Sequence, residues 1–250
     1  MKSILRKIFF AAAITTLGTT ANAQSNLAKY QFGIHTGVFV YQGDLTPETF
    51  GSYKTLRPVI QFFGSRFLSS SFLLRANLAF GSLRGDDAKY DEPAYRQQRN
   101  FNFHSPVMEL SGMMEWNILG RNYISRGFSP YLFAGAGTSF LRVRRDYSRL
   151  NAEYFANAPE LFSGLNADIQ HSPPKVLLVI PVGAGVRFYL SDKIGVSAES
   201  SYRIMSNDYL DGFSQAVNPS KGDHYYSHTV GVVYRLGKKN TMDCPVVIKY

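Results

Sequence analysis

Apolar and polar positions alternate with a period of two through eight segments of this chain, the pattern of strands with one oily face. The segments run from Tyr30 to about Tyr41, Leu56 to Arg66, Phe72 to Leu83, about Asn100 to Asn117, Ser129 to Arg142, Val176 to Leu190, Ile194 to about Arg203, and Tyr225 to Leu236. In the last of them Tyr226, His228, Val230, Val232, Tyr234 and Leu236 share one face. Tyr225, Ser227, Thr229, Gly231, Val233 and Arg235 share the other. Aromatics near both ends with aliphatics between suit a strand whose outer face meets lipid: rings at the two interfaces, hydrocarbon contact in the middle.

The connections sort by length. With the N-terminus taken as periplasmic, the links on its side are Leu68–Ser71, Asn117–Phe128 and Ser191–Lys193, and those on the far side are Gly43–Thr55, Arg84–Gln98, Val143–Lys175 and Ser206–Gly222. A soluble sandwich has no reason to separate short from long in this way, whereas an outer-membrane barrel does. The pattern therefore predicts an all-β chain, an eight-stranded antiparallel up-and-down transmembrane β-barrel with short periplasmic turns and long extracellular loops. Closure removes sheet edges that lipid could not satisfy. Eight strands leave an interior that side chains can fill. Arg75, Glu109, Glu115, Arg187, Glu199 and Arg203 all fall on inward positions. Both signs are present, which predicts an ion-paired plug rather than a water-filled pore, because a lone buried charge is costly.

Composition adds 19 Phe and 16 Tyr, many for a soluble domain of this size but natural for aromatic girdles. The N-terminus has the layout of a secretion signal: Lys2, Arg6 and Lys7, then an apolar run from Ile8 to Leu17, then Ala21-Asn22-Ala23 as the cleavage site. The expected organisation is a signal peptide over 1–23, a barrel over 24–236 and a periplasmic tail over 237–250, with the outer membrane as destination. Cys244 is the single cysteine, so there is no internal disulfide. Without residues 1–23 the chain keeps 24 Lys and Arg against 18 Asp and Glu. For an exported protein that surplus points to phosphate-bearing lipid or lipopolysaccharide as the polyanion and away from nucleic acid.

Candidate chemistry is sparse. The five His residues show no metal-ligand spacing. His104 and Ser105 sit near the outer end of the fourth strand with Asp86 and Asp87 in the preceding loop, but neighbours on a strand point to opposite faces and cannot act together. Asp86, Asp87, Asp91 and Glu92 lack the spacing of a calcium loop and read as an exposed acidic segment. Gly135 and Gly137 have no helix after them and read as close-packing wall glycines. No catalytic residue, metal or cofactor is expected. Arg142, Arg144, Arg145 and Arg149, just beyond the outer interface, are candidates for contact with lipopolysaccharide phosphates.

Thr229 to Leu236 resembles the closing-strand assembly signal of bacterial outer-membrane barrels, a polar residue with Gly two later and apolar residues at alternate positions. Thr229, Gly231, Tyr234 and Leu236 carry that pattern, and the partner it implies is the barrel assembly machinery. Tyr41-Gln-Gly-Asp-Leu-Thr-Pro47, Arg75 to Asp87 with its Gly-Asp-Asp end, Phe103 to Glu109 and Ser129 to Gly137 resemble a group of small outer-membrane barrels of bacteria that use type IX secretion. That group includes PorG-like barrels, which associate with the periplasmic ring of the secretion system. The resemblance implies a membrane anchor without catalytic residues, docking through periplasmic turns and tail. The alternative is a stand-alone barrel whose outer loops bind lipopolysaccharide or another ligand, or whose lumen passes small solutes.

Overall fold

In a computed structural model of the chain, residues 28–206, 209–217 and 222–237 are described. Nine strands form: β1 Tyr30–Gln42, β2 Arg57–Phe67, β3 Phe72–Asp86, β4 Asn102–Asn117, β5 Gly127–Leu141, the short β6 Arg144–Asp146, β7 Val176–Tyr189, β8 Ile194–Met205 and β9 His224–Leu236. Eight of them close a ring. Each pairs antiparallel with its neighbour in the order β1-β2-β3-β4-β5-β7-β8-β9, and β9 returns to β1 along the register Tyr30↔Leu236 to Gln42↔His224. The ninth, β6, adds to the outer end of β4 through Asn102↔Asp146 and His104↔Arg144. The eight-stranded antiparallel barrel is the expected fold, with strand limits within about three residues of the sequence pattern.

The faces are inverted relative to a soluble protein. Phe32 and Ile34 of β1, Leu74 of β3, Leu110 of β4, Leu178 and Ile180 of β7, and Val230 and Val232 of β9 are exposed on the outside. Gln31, His35, Gln61, Arg75, Asn77, Glu109, Glu115, Arg187, Glu199 and Arg203 are buried inside. An exposed apolar belt that encircles a closed sheet is stable only against hydrocarbon, so the barrel spans a membrane through its strands. No helix among the described residues is long and apolar enough to cross. At the inner end, the one with the short turns, the belt finishes in rings: Tyr30, Phe72, Trp116, Phe128, Phe188 and Tyr234 are all exposed.

Several wall contacts require glycine. A Cβ on Gly135 would lie 2.0 Å from the Gly112 carbonyl, and one on Gly37 would lie 1.9 Å from that of His228. The outer connections fold rather than dangle. The link from β3 to β4 holds a short helix, α1 Tyr95–Arg99, and the longest connection holds β6 and α2 Pro159–Gln170. For Asp86 and Asp87 this corrects the expectation of an exposed acidic segment after Arg84. Asp86 and Asp87 are buried, while Asp91 and Glu92 are exposed.

Candidate functional site

The lumen is filled by three ion pairs stacked along the barrel axis. Nearest the inner end, the Arg187 guanidinium donates to both oxygens of Glu115, at 2.8 and 3.1 Å. Above it Arg75 grips Glu199 with both Nη atoms, the Nη2–Oε2 contact being 3.2 Å. The Tyr131 hydroxyl donates to Glu199 Oε1 at 2.6 Å, and His35 Nδ1 stands 3.4 Å from Oε2. Toward the outer end Arg203 Nε meets Glu109 Oε2 at 3.1 Å, with the Tyr225 hydroxyl donating to the same oxygen at 2.8 Å. Rings cover the cations: Arg75 lies 3.8 Å from the Phe63 centroid and Arg187 lies 4.4 Å from that of Tyr131. Two-pronged hydrogen bonding, second donors to the carboxylates and ring faces on the guanidiniums together offset the desolvation of six charges.

Both mouths are closed by folded chain. At the inner end the Arg235 guanidinium lies 3.2 Å from the Tyr189 ring centroid and donates to the carbonyls of Ile124 and Asn122, at 2.6 and 2.7 Å. Asn122 is itself buried, accepts from Asn117 Nδ2 and donates to the Ser69 carbonyl, each at 3.0 Å. The connection between β4 and β5 is thereby tied beneath the lumen, and it leaves Ile118 and Leu119 exposed. At the outer end Leu161 and Leu165 of α2 pack with Leu210, Phe213, Phe101, Phe103, Tyr41 and Tyr225 into an apolar cap. The buried Asp168 carboxylate accepts from the backbone N–H groups of Ser214, Gln215 and Ala216 at 3.2, 3.1 and 2.9 Å, joining α2 to that loop. Burial, with Asp168 beside it, pushes the Tyr209 phenol above its ordinary range. Asp87 anchors the neighbouring loop. It takes Arg96 at 2.8 Å, Arg99 at 2.6 and 2.9 Å, and the Phe101 N–H at 3.3 Å.

Residues 6–240 match a family described as a domain of unknown function, DUF6089. The chain belongs to that family. No curated protein matches it. Several solved structures resemble the DUF6089 chain. Neisserial surface protein A is 14% identical, covers 85% of this chain and 98% of its own, with a TM-score of 0.43. The outer membrane protein OprG from Pseudomonas aeruginosa is 10% identical over 86% of this chain and 100% of its own, with a TM-score of 0.43. Ail, the attachment invasion locus protein of Yersinia pestis, solved with the heparin analogue sucrose octasulfate, is 10% identical over 84% and 99%, with a TM-score of 0.42. The apolar belt and closed ring described above make the DUF6089 chain a membrane-spanning β-barrel protein.

The structure sorts the residues singled out from the sequence. It brings Arg75 to Glu199, Arg187 to Glu115 and Arg203 to Glu109, pairings that the sequence pattern did not specify. The outer-rim arginines divide. Arg142, Arg144 and Arg149 are exposed. Arg145 is half-buried and donates to the carbonyls of Gly212, Ile169 and His171 at 2.7, 3.3 and 3.1 Å. Along β9, Thr229 lies in the lumen, Gly231 packs against Ile34 and His35, and Tyr234 and Leu236 face outward. His104 and Ser105 point to opposite faces, Ser105 is buried, and both nearby acids are engaged by arginines, Asp86 by Arg84 at 2.8 Å and Asp87 by Arg96 and Arg99. Among the described residues no group of three or more His, Cys, Asp or Glu could hold a metal. Sequence reasoning missed Asp168, Asp87 with its two arginines, and Arg235. The expected signal peptide over 1–23 and, apart from Gly237, the expected tail over 237–250 with Cys244 lie outside the described residues.

Proposed function

We propose that this barrel is a non-catalytic anchor, exported by its N-terminal signal and inserted by the barrel assembly machinery, that ties an envelope assembly to the outer membrane in the manner of the PorG-like barrels of type IX secretion. The observation that carries this reading is the sealed lumen: three buried ion pairs between two closed mouths make a rigid body better suited to holding than to conducting. The inner end supports docking. Its β4–β5 connection is held by Arg235 and Asn122, so its exposed Ile118 and Leu119, beside exposed Arg121 and Arg126, stand on a rigid base. At the other end, the exposed Arg142, Arg144 and Arg149 support contact with lipopolysaccharide as part of the same anchoring.

The test is a cross-linked pull-down of the epitope-tagged protein from outer membranes, with the co-purifying proteins identified by mass spectrometry. Recovery of periplasmic ring proteins, reduced at least tenfold by Ile118→Ser with Leu119→Ser, is the expected result. Recovery of only lipopolysaccharide and unrelated barrels would remove the secretion-scaffold reading.

A further inference from the structure

The outer wall carries a row of cations that the loop sequence alone does not single out. Arg84 of β3 is directly opposite His104 of β4, and His104 is directly opposite Arg144 of β6. Directly opposed residues on neighbouring strands have Cβ atoms about 4.5–5.5 Å apart, and like charges in such positions repel. Arg57, at the start of β2, is paired with the buried Phe39 and so belongs to the opposite face of the wall. Its Nε is buried and has no hydrogen-bond partner among the described residues. The acids close by do not balance the group. Asp86 takes Arg84 at 2.8 Å. Asp146 is occupied by the Ser148 N–H at 2.9 Å and by Asn102 at 3.5 Å. Partial burial, then Arg57, Arg144 and Arg84, hold the His104 imidazole below its ordinary range.

The height of the row matters as much as its sign. Four residues nearer the membrane on the same faces, Phe80 pairs with Met108 and Met108 with Phe140, and all three side chains are exposed. At about 3.3 Å per residue the cations therefore stand about 13 Å along the strands from an apolar shelf. A ligand that satisfies both features has a phosphate at one end and hydrocarbon at the other.

We propose that Arg84, His104 and Arg144 form a binding site for the phosphate of an anionic glycolipid of the outer leaflet, whose acyl chains lie on Phe80, Met108 and Phe140. This rests on the reading of the outer rim as a lipopolysaccharide-facing surface and deepens it, since it moves the site from the loop arginines to the wall. Arg144 belongs to both sets; Arg142 and Arg149 do not belong to this one. Arg84 and Arg144 flank the phosphate, and His104, drawn toward its charged form by the arriving anion, becomes a third donor.

The experiment uses the full chain, folded in maltoside micelles with isotope-labelled histidine, and the His104 signal is identified by its loss in His104→Gln. The imidazole titrations are followed without lipid, with bisphosphorylated lipid A, with the same lipid dephosphorylated, and with inorganic phosphate at matched concentration. Bisphosphorylated lipid A is expected to raise the His104 midpoint by about one pH unit or more, as an anion within about 4–6 Å does. The dephosphorylated lipid and free phosphate are expected to move it far less. Arg84→Gln with Arg144→Gln is expected to weaken lipid A binding at least tenfold while heat-modifiable gel mobility still reports a closed barrel. Arg142→Gln with Arg149→Gln is expected to leave binding within twofold.

No shift with lipid A would overturn the proposal, as would an equal shift with the dephosphorylated lipid. A shift of the same size with inorganic phosphate would overturn the assignment to a lipid. If Arg142→Gln with Arg149→Gln abolished binding and Arg84→Gln with Arg144→Gln did not, the wall site would be wrong while the outer rim would still bind lipid phosphate. Absence of any lipid A binding would remove both readings together.

Discussion

Neutralising Glu199 should unsettle the barrel more than any single lumen contact suggests. Its carboxylate holds both Nη atoms of Arg75, accepts from Tyr131 at 2.6 Å and faces His35 at 3.4 Å. Glu199→Gln keeps the shape but leaves the guanidinium of Arg75, 1% exposed, without a counter-charge. Removing one partner of a buried pair typically costs about 3–5 kcal/mol, because the remaining charge stays desolvated. The Phe63 face at 3.8 Å returns at most about 2 kcal/mol and is already present in the parent, so it does not reduce the difference. Arg75→Met alone should cost a similar amount by stranding the carboxylate. The double variant, with neither charge, should lose far less than the sum, giving a coupling of about 2–4 kcal/mol in a double-mutant cycle. Trp116, the single tryptophan, faces lipid on β4 and reports unfolding by fluorescence during urea titration in vesicles. With a slope of about 2 kcal/mol per molar urea, each single variant should lower the midpoint by about 2 M. A loss below about 1 kcal/mol for either single variant, or a double variant as unstable as the sum, would refute the claim that the lumen is held by mutual charge compensation.

Other expectations are local. Gly37→Ala would place a methyl 1.9 Å from the His228 carbonyl across the β1–β9 seam, and should cost about 2 kcal/mol or more and reduce the heat-modifiable fraction on gels. Gly112→Ala meets nothing within 4 Å and should change the same readout by less than about 0.5 kcal/mol. Asp168→Ala withdraws the acceptor from three backbone N–H groups. It should leave the barrel closed but loosen the cap by about 2–3 kcal/mol, seen as faster amide exchange over residues 209–217. Arg145→Ala should likewise speed exchange around His171 and Gly212 without changing lipid A affinity by more than twofold.

The wall of this barrel was legible in the sequence because each strand writes its environment twice, lipid on even-numbered residues and lumen on odd-numbered ones, as in Tyr225 to Leu236. The partners across the lumen were not. Arg75 and Glu199 are 124 residues apart, and their meeting depends on the tilt and stagger of a closed sheet rather than on spacing along the chain. The cap was hidden for a different reason. Asp86 and Asp87 stand in a polar run that looks solvated, and only folding brings Arg96 and Arg99 back onto Asp87. Arg144 and Arg145 are neighbours with different fates, one exposed on β6 and one half-buried. A strand of three residues is too short for its period to be recognised.

Every one of the three lumen pairs joins a strand from the first half of the barrel to one from the second: β3 to β8, β4 to β7 and β4 to β8. Of the six charges, β3 and β4 hold one cation and two anions, and β7 and β8 hold two cations and one anion. No pair forms within a single hairpin. A half-assembled sheet therefore faces hydrocarbon with uncompensated charge, and the two halves attract each other through opposite net signs. Insertion before the two halves meet across the lumen is disfavoured, because none of the three pairs is complete until then. The arrangement ties charge compensation to the curling of the whole sheet and not to the formation of any one hairpin.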